Sequence, residues 1–317
     1  MTARQGRLAI VGAGSVGSSA AYAALIRGSA GHVALYDIAE AKVEAEVLDL
    51  AHGAQFTAGR ITGGADIGVV ADADVVVITA GAKQQPGQSR MALAEVNAGI
   101  IAELMPRLLE LAPEAIHVIV SNPCDVLVTL AQRASGLPPE RVLASGTVLD
   151  TSRLRRLLAE RAGVATSSVH AHIVGEHGDT EFPLWSNAAI GPVPILEWTS
   201  AQRGRFTEDE LGRIAVEVRD AAYRVIRGKG ATNYAIGLCV ARIVEAILGD
   251  ERAILPVSTV LSDFHGIDGV ALSVPSVVGA AGAAPIRETP FADEELERLR
   301  ASADAIRAAA EALVTPR

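Results

Sequence analysis

The chain has 317 residues, of which 50% are hydrophobic and only 3% aromatic, and its formal net charge is −9. This length and apolar content predict one large α/β unit or two domains, with a core of Ala, Val, Leu and Ile. The negative charge and the lack of a long basic run argue against nucleic acid and anionic membranes as main partners.

The cysteines and the apolar runs narrow the class of protein further. Cys124 and Cys239 are far apart and match no metal-ligand spacing, so we expect no metal site and reduced thiols in the cytoplasm. No apolar run of about 18 residues is free of charged, Gly or Pro interruptions, so the sequence predicts no membrane-spanning helix.

The N-terminal segment combines a short apolar run, a Gly-rich turn and an Ala-rich stretch. Residues 8–11 predict a buried strand, and Gly12-x-Gly14-x-x-Gly17 follows directly. In this context Gly12 makes the tight turn, Gly14 lets the backbone approach a pyrophosphate, and Gly17 lets the helix pack on the strand. The pattern favours a dinucleotide site over a secretory signal peptide, which the apolar stretch 8–25 imitates.

The second predicted strand indicates which dinucleotide binds. It covers residues 32–36 and ends at Asp37, twenty residues past Gly17. An acid there can bind both ribose hydroxyls of NAD and repel the extra phosphate of NADP. The sequence therefore favours NAD as the cofactor.

Buried strands and helices alternate through the first half of the chain. This order predicts an α/β fold with a Rossmann-type, doubly wound parallel sheet and right-handed crossovers. The further predicted strands are 75–78, 116–120 and 142–144, and the predicted helices after the first are 39–51 and 91–111.

The second half predicts an α+β substrate domain. Its predicted helices are 146–162, 207–227, 232–248 and a final helix from 289, and its predicted strands are 169–174, 254–260 and 269–274, the last two in a hairpin or small sheet. We place the boundary so that 1–145 form the NAD-binding domain and 146–317 the substrate domain. Because no low-complexity linker appears, we expect the halves to pack tightly.

The segment 83–90 has the composition of a loop. It contains Pro86, Gly87 and three Gln, and it ends at Arg90 just before a helical run. One interpretation is an exposed connector. The other is a mobile lid that carries Arg90 and Gln84 onto a substrate, and this stretch alone favours neither.

A single histidine follows the apolar run 169–174. His177 lies in a turn flanked by Gly175 and Gly178, and His is the side chain best suited to exchange a proton near neutral pH. By itself this pattern is also typical of a solvent-facing loop residue. Asp150 likewise fits an ordinary helix N-terminus, whereas nothing local explains the cation Arg153, which could bind a carboxylate with two hydrogen bonds.

Six ordered motifs, taken together, resemble the L-lactate/malate dehydrogenase family over nearly the full length. The motifs are Gly12-x-Gly14-x-x-Gly17, Gln84-x-Pro86-Gly87-x-Ser89-Arg90, Ser121-Asn122-Pro123, Leu149-Asp150-x-x-Arg153, Gly175-Glu176-His177-Gly178-Asp179 and Lys229-Gly230-Ala231-Thr232. The resemblance implies NAD-dependent hydride transfer between a 2-hydroxy acid and its 2-keto acid.

The resemblance also implies the catalytic roles. His177 is the proton donor and acceptor, and Asp150 orients it and stabilises its charged form. Arg153 holds the substrate carboxylate, and Arg90 on the lid polarises the carbonyl group. Asn122 touches the substrate and the cofactor, and Thr232 lines the substrate side. The implied cofactor contacts are Gly12, Gly14, Val16, Gly17, Asp37, Lys42, Gly81, Ala82, Asn122 and Ser145.

Gln84 is expected to decide the substrate. Malate dehydrogenases of this family carry Arg there to neutralise the second carboxylate of oxaloacetate, so Gln84 favours pyruvate and L-lactate by roughly a thousandfold. Lys83 is a cation in the same segment, so malate dehydrogenase stays open as the alternative. Both Lys83 and Gln88 depart from the residues that are usual in the family. The third hypothesis is a non-enzymatic NAD-binding protein, and the intact acid/base pair argues against it.

The resemblance further implies regulation and assembly. Many bacterial members are tetramers activated by fructose 1,6-bisphosphate, which an Arg and a His hold at a subunit interface. The matching positions here are Arg155 and His170, so we expect a homotetramer with this activator by analogy. The alternative is that Arg155 is a solvated helix residue and His170 an ordinary strand residue.

Overall fold

The computed structural model describes residues 6–82, 90–200 and 203–314, with the backbone alone at 90, 91 and 314. The first half alternates strands with helices. Its strands are β1 (Arg7–Val11), β2 (His32–Tyr36), β3 (Arg60–Gly64), β4 (Val75–Ile78), β5 (Ile116–Ile119) and β6 (Val142–Ala144). Its helices are α1 (Ser15–Arg27), α2 (Glu40–His52), α3 (Arg90–Leu111) and α4 (Cys124–Ser135).

The second half contains longer helices and shorter strands. Its helices are α5 (Val148–Ala162), α6 (Glu208–Lys229), α7 (Tyr234–Leu248) and α8 (Asp293–Val314). Its strands are β7 (Val169–His170), β8 (Ile173–Val174), β9 (Phe182–Pro183), β10 (Ala189–Ile190), β11 (Val193–Pro194), β12 (Thr199–Ser200), β13 (Gly204–Arg205), β14 (Ala253–Leu255), β15 (Ser258–Val260), β16 (Ala271–Ser273), β17 (Ser276–Gly279) and β18 (Gly282–Pro285).

One eight-stranded sheet organises the molecule, in the order β16-β15-β6-β5-β4-β1-β2-β3. The six strands of the first half run parallel, and β15 and β16 are antiparallel additions. Strands β2, β4 and β5 are buried along their whole length, which explains their continuous apolar runs. The predicted doubly wound sheet is confirmed, and its strand order reverses between β1 and β4, where such folds bind ligands.

The edge strand β3 has no counterpart among the predicted elements. Its sequence is Arg-Ile-Thr-Gly-Gly, and only Ile61 is buried. It pairs with β2 alone. Because this edge strand buries little side-chain surface, its sequence lacks the continuous apolar run that predicts the other strands.

Three predicted boundaries in the second half are wrong. The run 254–260 forms two strands, because Pro256 lacks the N–H that a continuous ladder needs; β14 pairs with β17, while β15 joins the large sheet beside β6. The run 169–174 likewise forms β7 and β8, which belong to different small sheets. The last helix begins at Asp293 and not at Thr289.

The two halves pack closely, as expected. Helix α7 lies against α1, where the amide of Asn233 donates a hydrogen bond of 2.9 Å to the Ser19 hydroxyl. At the other end of α1, Arg27 donates to Glu245 over 2.6 Å. Strands β15 and β16 of the second half also extend the sheet of the first half, and the boundary at residue 145 stays a prediction. Within the described ranges, no helix combines the length and apolar character that crossing a membrane requires.

Candidate active site

The Gly-rich turn after β1 has the shape of a phosphate cradle. Gly12 has a φ of +109°, and a Cβ there would come within 2.8 Å of the Ala80 nitrogen. A Cβ at Gly17 would lie 1.8 Å from the carbonyl oxygen of Gly12, so both positions require glycine. A Cβ at Gly14 would meet open space. The backbone at Gly14 is therefore accessible at the N-terminus of α1, where a helix binds phosphate.

Asp37 lies beside this cradle at the carboxyl end of β2. One carboxylate oxygen accepts the Ala13 N–H over 2.7 Å, and the other accepts the Ala39 N–H over 2.9 Å. These bonds hold the carboxylate next to the Gly-rich turn, in the position that the dinucleotide pattern requires for the ribose acid.

A buried asparagine joins the loops that follow β4 and β5. The side-chain oxygen of Asn97, on α3, accepts the Ala82 N–H over 2.7 Å, and its amide nitrogen donates to the Asn122 carbonyl over 2.7 Å. Asn97 is 2% exposed. It thus connects the segment containing Gly81 and Ala82 to Asn122, a link that no sequence pattern indicated.

The start of α5 is hydrogen-bonded to the strand that leads to His177. The Thr147 hydroxyl donates to the Ile173 carbonyl over 2.5 Å, and the Ile173 N–H donates to the Thr151 hydroxyl over 2.8 Å. Gly175 then exchanges two backbone hydrogen bonds of 2.9 Å with Ser273 on β16. These contacts place the turn that contains His177 over the first turn of α5.

His177, Asp150 and Arg153 form one hydrogen-bonded group in this position. The Nδ1 atom of His177 lies 2.7 Å from Oδ2 of Asp150, and Nη1 of Arg153 donates to Oδ1 of Asp150 over 2.6 Å. The Asp150 side chain is only 2% exposed. The expectation that nothing local explains Arg153 is wrong, since Asp150 is its partner; the same pairing holds the guanidinium at the site.

The charge of Asp150 controls the protonation of His177. Burial lowers the pKa of His177, but the Asp150 carboxylate and its hydrogen bond raise it more, to about 9. Burial raises the pKa of Asp150, while His177 and Arg153 lower it, and the balance is downward. At neutral pH the pair is therefore an imidazolium and a carboxylate, with a proton available for transfer.

A cavity of about 280 Å³ opens beside this group. Residues of α3, α4, α5, α6 and α8, of the loop before α4 and of the turn after β8 line it, and they include Asn122, Asp150, Arg153 and His177. An acid/base pair and a cation therefore face one cavity, which can accept a small carboxylate and exchange a proton with it.

Two acids at the site were not among the predicted functional residues. Asp125 on α4 is 1% exposed, and its carboxylate accepts the backbone N–H of His177 over 2.8 Å. Glu181 lines the cavity three residues past Gly178. Most acids of this chain lie on the surface, and no local pattern distinguishes these two from them.

The remaining predicted contacts lie at varied places. Val16 and Lys42 are in the first turns of α1 and α2. Ser145 is buried after β6, and its N–H donates to the Ile119 carbonyl over 3.1 Å. Thr232 lies half-buried between α6 and α7 and is not among the residues that line the cavity. These assignments stay predictions.

The predicted lid falls mostly outside the described residues. This holds for Gln84, Lys83 and Gln88. Arg90 begins α3, as the sequence indicated, and its side chain is not described. The lid and its roles stay predictions.

The pair predicted to bind an activator lies on α5 and β7. Arg155 donates from Nε to the Ala171 carbonyl over 2.9 Å, and its Nη2 lies 3.0 Å from Nε2 of His172. Burial, with the nearby Arg155 charge, lowers the pKa of His172 to about 4, so the ring is a neutral acceptor. His170 is exposed. Arg155 is thus partly engaged in the fold, next to a strand that presents His170 to solvent.

Comparisons with known proteins cover the whole chain. Residues 6–144 match the family model of the lactate/malate dehydrogenase NAD binding domain, and residues 147–315 match that of the lactate/malate dehydrogenase alpha/beta C-terminal domain. The L-lactate dehydrogenase of Bifidobacterium animalis subsp. lactis is 50% identical, over 95% of each chain. That of Kosmotoga olearia is 45% identical, over 98% of this chain and 97% of its own.

Solved structures show the same architecture. A lactate dehydrogenase from a Medee basin deep-sea metagenome library has a TM-score of 0.93 at 37% identity, over 98% of this chain and 100% of its own. The minor L-lactate dehydrogenase of Enterococcus mundtii has a TM-score of 0.92 at 36% identity, over 100% of both chains.

Proposed function

The chain belongs to the lactate/malate dehydrogenase family, and on that premise we propose that it is an NAD-dependent L-lactate dehydrogenase. It would reduce pyruvate to L-lactate with NADH and catalyse the reverse oxidation. The observation that carries the proposal is the hydrogen-bonded pair of His177 and the buried Asp150, beside Arg153 in one cavity. Reduction of a 2-keto acid needs a proton donor next to a cation that binds a carboxylate.

In the proposed mechanism, NADH when bound supplies the hydride to the carbonyl carbon. His177 donates its Nε2 proton to the substrate oxygen, because its Nδ1 atom faces Asp150. Asp150 keeps the ring oriented and stabilises its charge. In the oxidation the neutral ring accepts the hydroxyl proton at the same nitrogen.

Arg153 binds the substrate carboxylate in this proposal. Its Nη1 atom is held by Asp150, and the other N–H groups of the planar guanidinium supply the bonds to the substrate. Arg90 would polarise the carbonyl group when the lid closes and excludes water. Asn122 lines the same cavity, and Thr232 is assigned to the substrate side from the family resemblance.

The cofactor site proposed here spans the carboxyl ends of β1, β2 and β4. The open backbone at Gly14 and the fixed carboxylate of Asp37 support it, since they suit a pyrophosphate and a ribose. The proposed contacts are Gly12, Gly14, Val16, Gly17, Asp37, Lys42, Gly81, Ala82, Asn122 and Ser145.

The proposed preference for pyruvate over oxaloacetate rests on Gln84. A neutral Gln84 supplies no partner for a second carboxylate, so pyruvate should exceed oxaloacetate; Lys83 keeps malate dehydrogenase as the alternative. Oxidation of NADH is to be followed with pyruvate, with oxaloacetate and without substrate. A preference for oxaloacetate would overturn the substrate assignment, and NADH binding without turnover of either acid would indicate a non-enzymatic NAD-binding protein. Gln84→Arg should move the preference toward oxaloacetate.

Assembly and regulation are proposed from an exposed apolar surface and from the family resemblance. Helices α1 and α7 expose Tyr22, Ile26, Tyr234 and Leu238, an apolar surface that a homotetramer would cover. Sedimentation velocity tests the tetramer. Kinetics at low pyruvate with and without fructose 1,6-bisphosphate test activation, and an unchanged half-saturation concentration would exclude it. The two free, buried cysteines support a cytoplasmic location.

A further inference from the structure

Glu181 lies in the active site without a role in the proposed mechanism. It directly precedes β9, and one of its carboxylate oxygens and one of Asp150 both lie within 4.8 Å of each other and of a His177 ring nitrogen. Its Oε1 atom is shielded from solvent and has no hydrogen-bond partner among the residues that the structure describes. A buried carboxylate in such a position loses hydration without compensation.

Two of the acids that line the cavity, Asp150 and Glu181, therefore differ in their surroundings. Each oxygen of Asp150 has a cationic partner, since Oδ1 accepts from Arg153 and Oδ2 faces His177. Burial and the negative charge of Asp150 oppose the ionisation of Glu181. Both raise its pKa, which stands at about 8 although His177 and Arg153 oppose the rise. Adjacent acids whose surroundings give them different pKa values commonly have different roles in a reaction.

We propose that Glu181 is a second titratable residue of the active site, and that it must carry a proton for the substrate carboxylate to bind tightly. With Glu181 neutral, the group of Asp150, His177 and Arg153 has one negative and two positive charges. This net positive charge matches one substrate carboxylate. Ionised Glu181 would cancel it and compete with the substrate for Arg153. The inference rests on the proposed function, because it requires an anionic substrate.

The other charged groups near Glu181 belong to the turn that contains His177 and to helices α6 and α4. Glu176 and Asp179 belong to the His177 turn, where Glu176 accepts from the Thr180 hydroxyl over 2.6 Å and Asp179 accepts from Tyr223 over 3.4 Å. Arg219 on α6 is 43% exposed, so solvent screens its charge.

Asp125 on α4 accepts the backbone N–H of His177. Its burial raises its pKa, and it is not among the residues that line the cavity. Glu181 is thus the acid whose proton most directly affects the charge that a bound carboxylate meets.

Proton uptake on ligand binding tests the inference. Oxamate, an unreactive amide with the carboxylate of pyruvate, is titrated calorimetrically into NADH-saturated enzyme in buffers of different ionisation enthalpy. At about pH 8 half of Glu181 is ionised, so the wild type should take up about 0.5 proton for Glu181 and about 0.1 for His177. Glu181→Gln should take up only about 0.1 proton and should still bind oxamate near pH 6.5.

The control variant is Glu176→Gln, which removes an acid from the same cavity and should retain wild-type proton uptake.

A second measurement needs no variant. The infrared carbonyl stretch of a neutral carboxylic acid, identified with ¹³C-glutamate, should disappear between about pH 6.5 and pH 9.5. Wild-type uptake of no more than about 0.1 proton at pH 8, equal uptake in Glu181→Gln, or lost binding of that variant near pH 6.5 would overturn the inference. Failure of the wild type to reduce pyruvate would instead overturn the proposed function.

Discussion

The strongest test of the catalytic assignment is the substitution Asp150→Asn. It keeps the shape of the side chain and removes the charge that faces Nδ1 of His177 at 2.7 Å. Asp150 raises the pKa of His177 from an ordinary 6.5 to about 9 in spite of burial. At about 1.4 kcal/mol per pKa unit, the carboxylate stabilises the imidazolium by roughly 3 kcal/mol.

Without this charge, burial lowers the pKa of His177 and only the charges of Glu181 and Asp125 still raise it, so the pKa should fall to about 6.5. The fraction of protonated ring at about pH 8 then drops about 30-fold. Because pyruvate reduction needs that proton, kcat/KM for pyruvate should fall at least as much at this pH, and less at lower pH. Loss of the correct ring orientation adds to the decrease.

The assay is the pH dependence of kcat/KM from NADH absorbance, combined with NMR titration of the His177 ring in histidine-labelled enzyme. Glu160→Gln is the matched control, since it removes an acid of the same helix that is exposed and paired with Arg156. It should leave the titration of His177 unchanged. A His177 midpoint that remains near 9 in Asp150→Asn would refute the electrostatic role of Asp150.

Three further predictions concern His177, Asp125 and His117. His177→Asn should abolish turnover with little change in the Kd of NADH, and residual turnover near wild type would contradict its role. Asp125→Ala removes the acceptor of the His177 N–H and should lower kcat roughly ten- to a hundredfold without weakening NADH binding; unchanged kcat would show that the turn keeps its position without it. His117 is fully buried, and burial, together with Arg141, lowers its pKa to about 4. The unfolded chain therefore binds more protons as the pH falls from about 6.5 to about 4, and folding stability is lost over that window by up to roughly 3 kcal/mol. Urea unfolding of His117→Leu should show this loss reduced, and parallel curves for both proteins would contradict it.

The parts of the fold that the sequence predicted depend on local patterns. Strands buried on both faces leave continuous apolar runs, so 8–11, 32–36 and 75–78 were recognisable without a structure. The edge strand β3 has one strand neighbour and little buried side-chain surface, and it left no such run. The position of β15 beside β6 was equally hidden, since strand pairing across 114 positions, from Ala144 to Ser258, has no local signal.

The candidate site also has parts that the sequence predicted and parts that only the structure decided. The sequence by itself determined the Gly-rich turn, the acid at the end of β2 and the residue types His177, Asp150 and Arg153, because these lie in compact, ordered motifs. Only the tertiary structure decided that Asp150 bridges His177 and Arg153, that Asp125 holds the His177 backbone, and that Glu181 shares their cavity. Charge state is the physical reason: the ionisation of an acid depends on burial and on neighbours that only folding brings together.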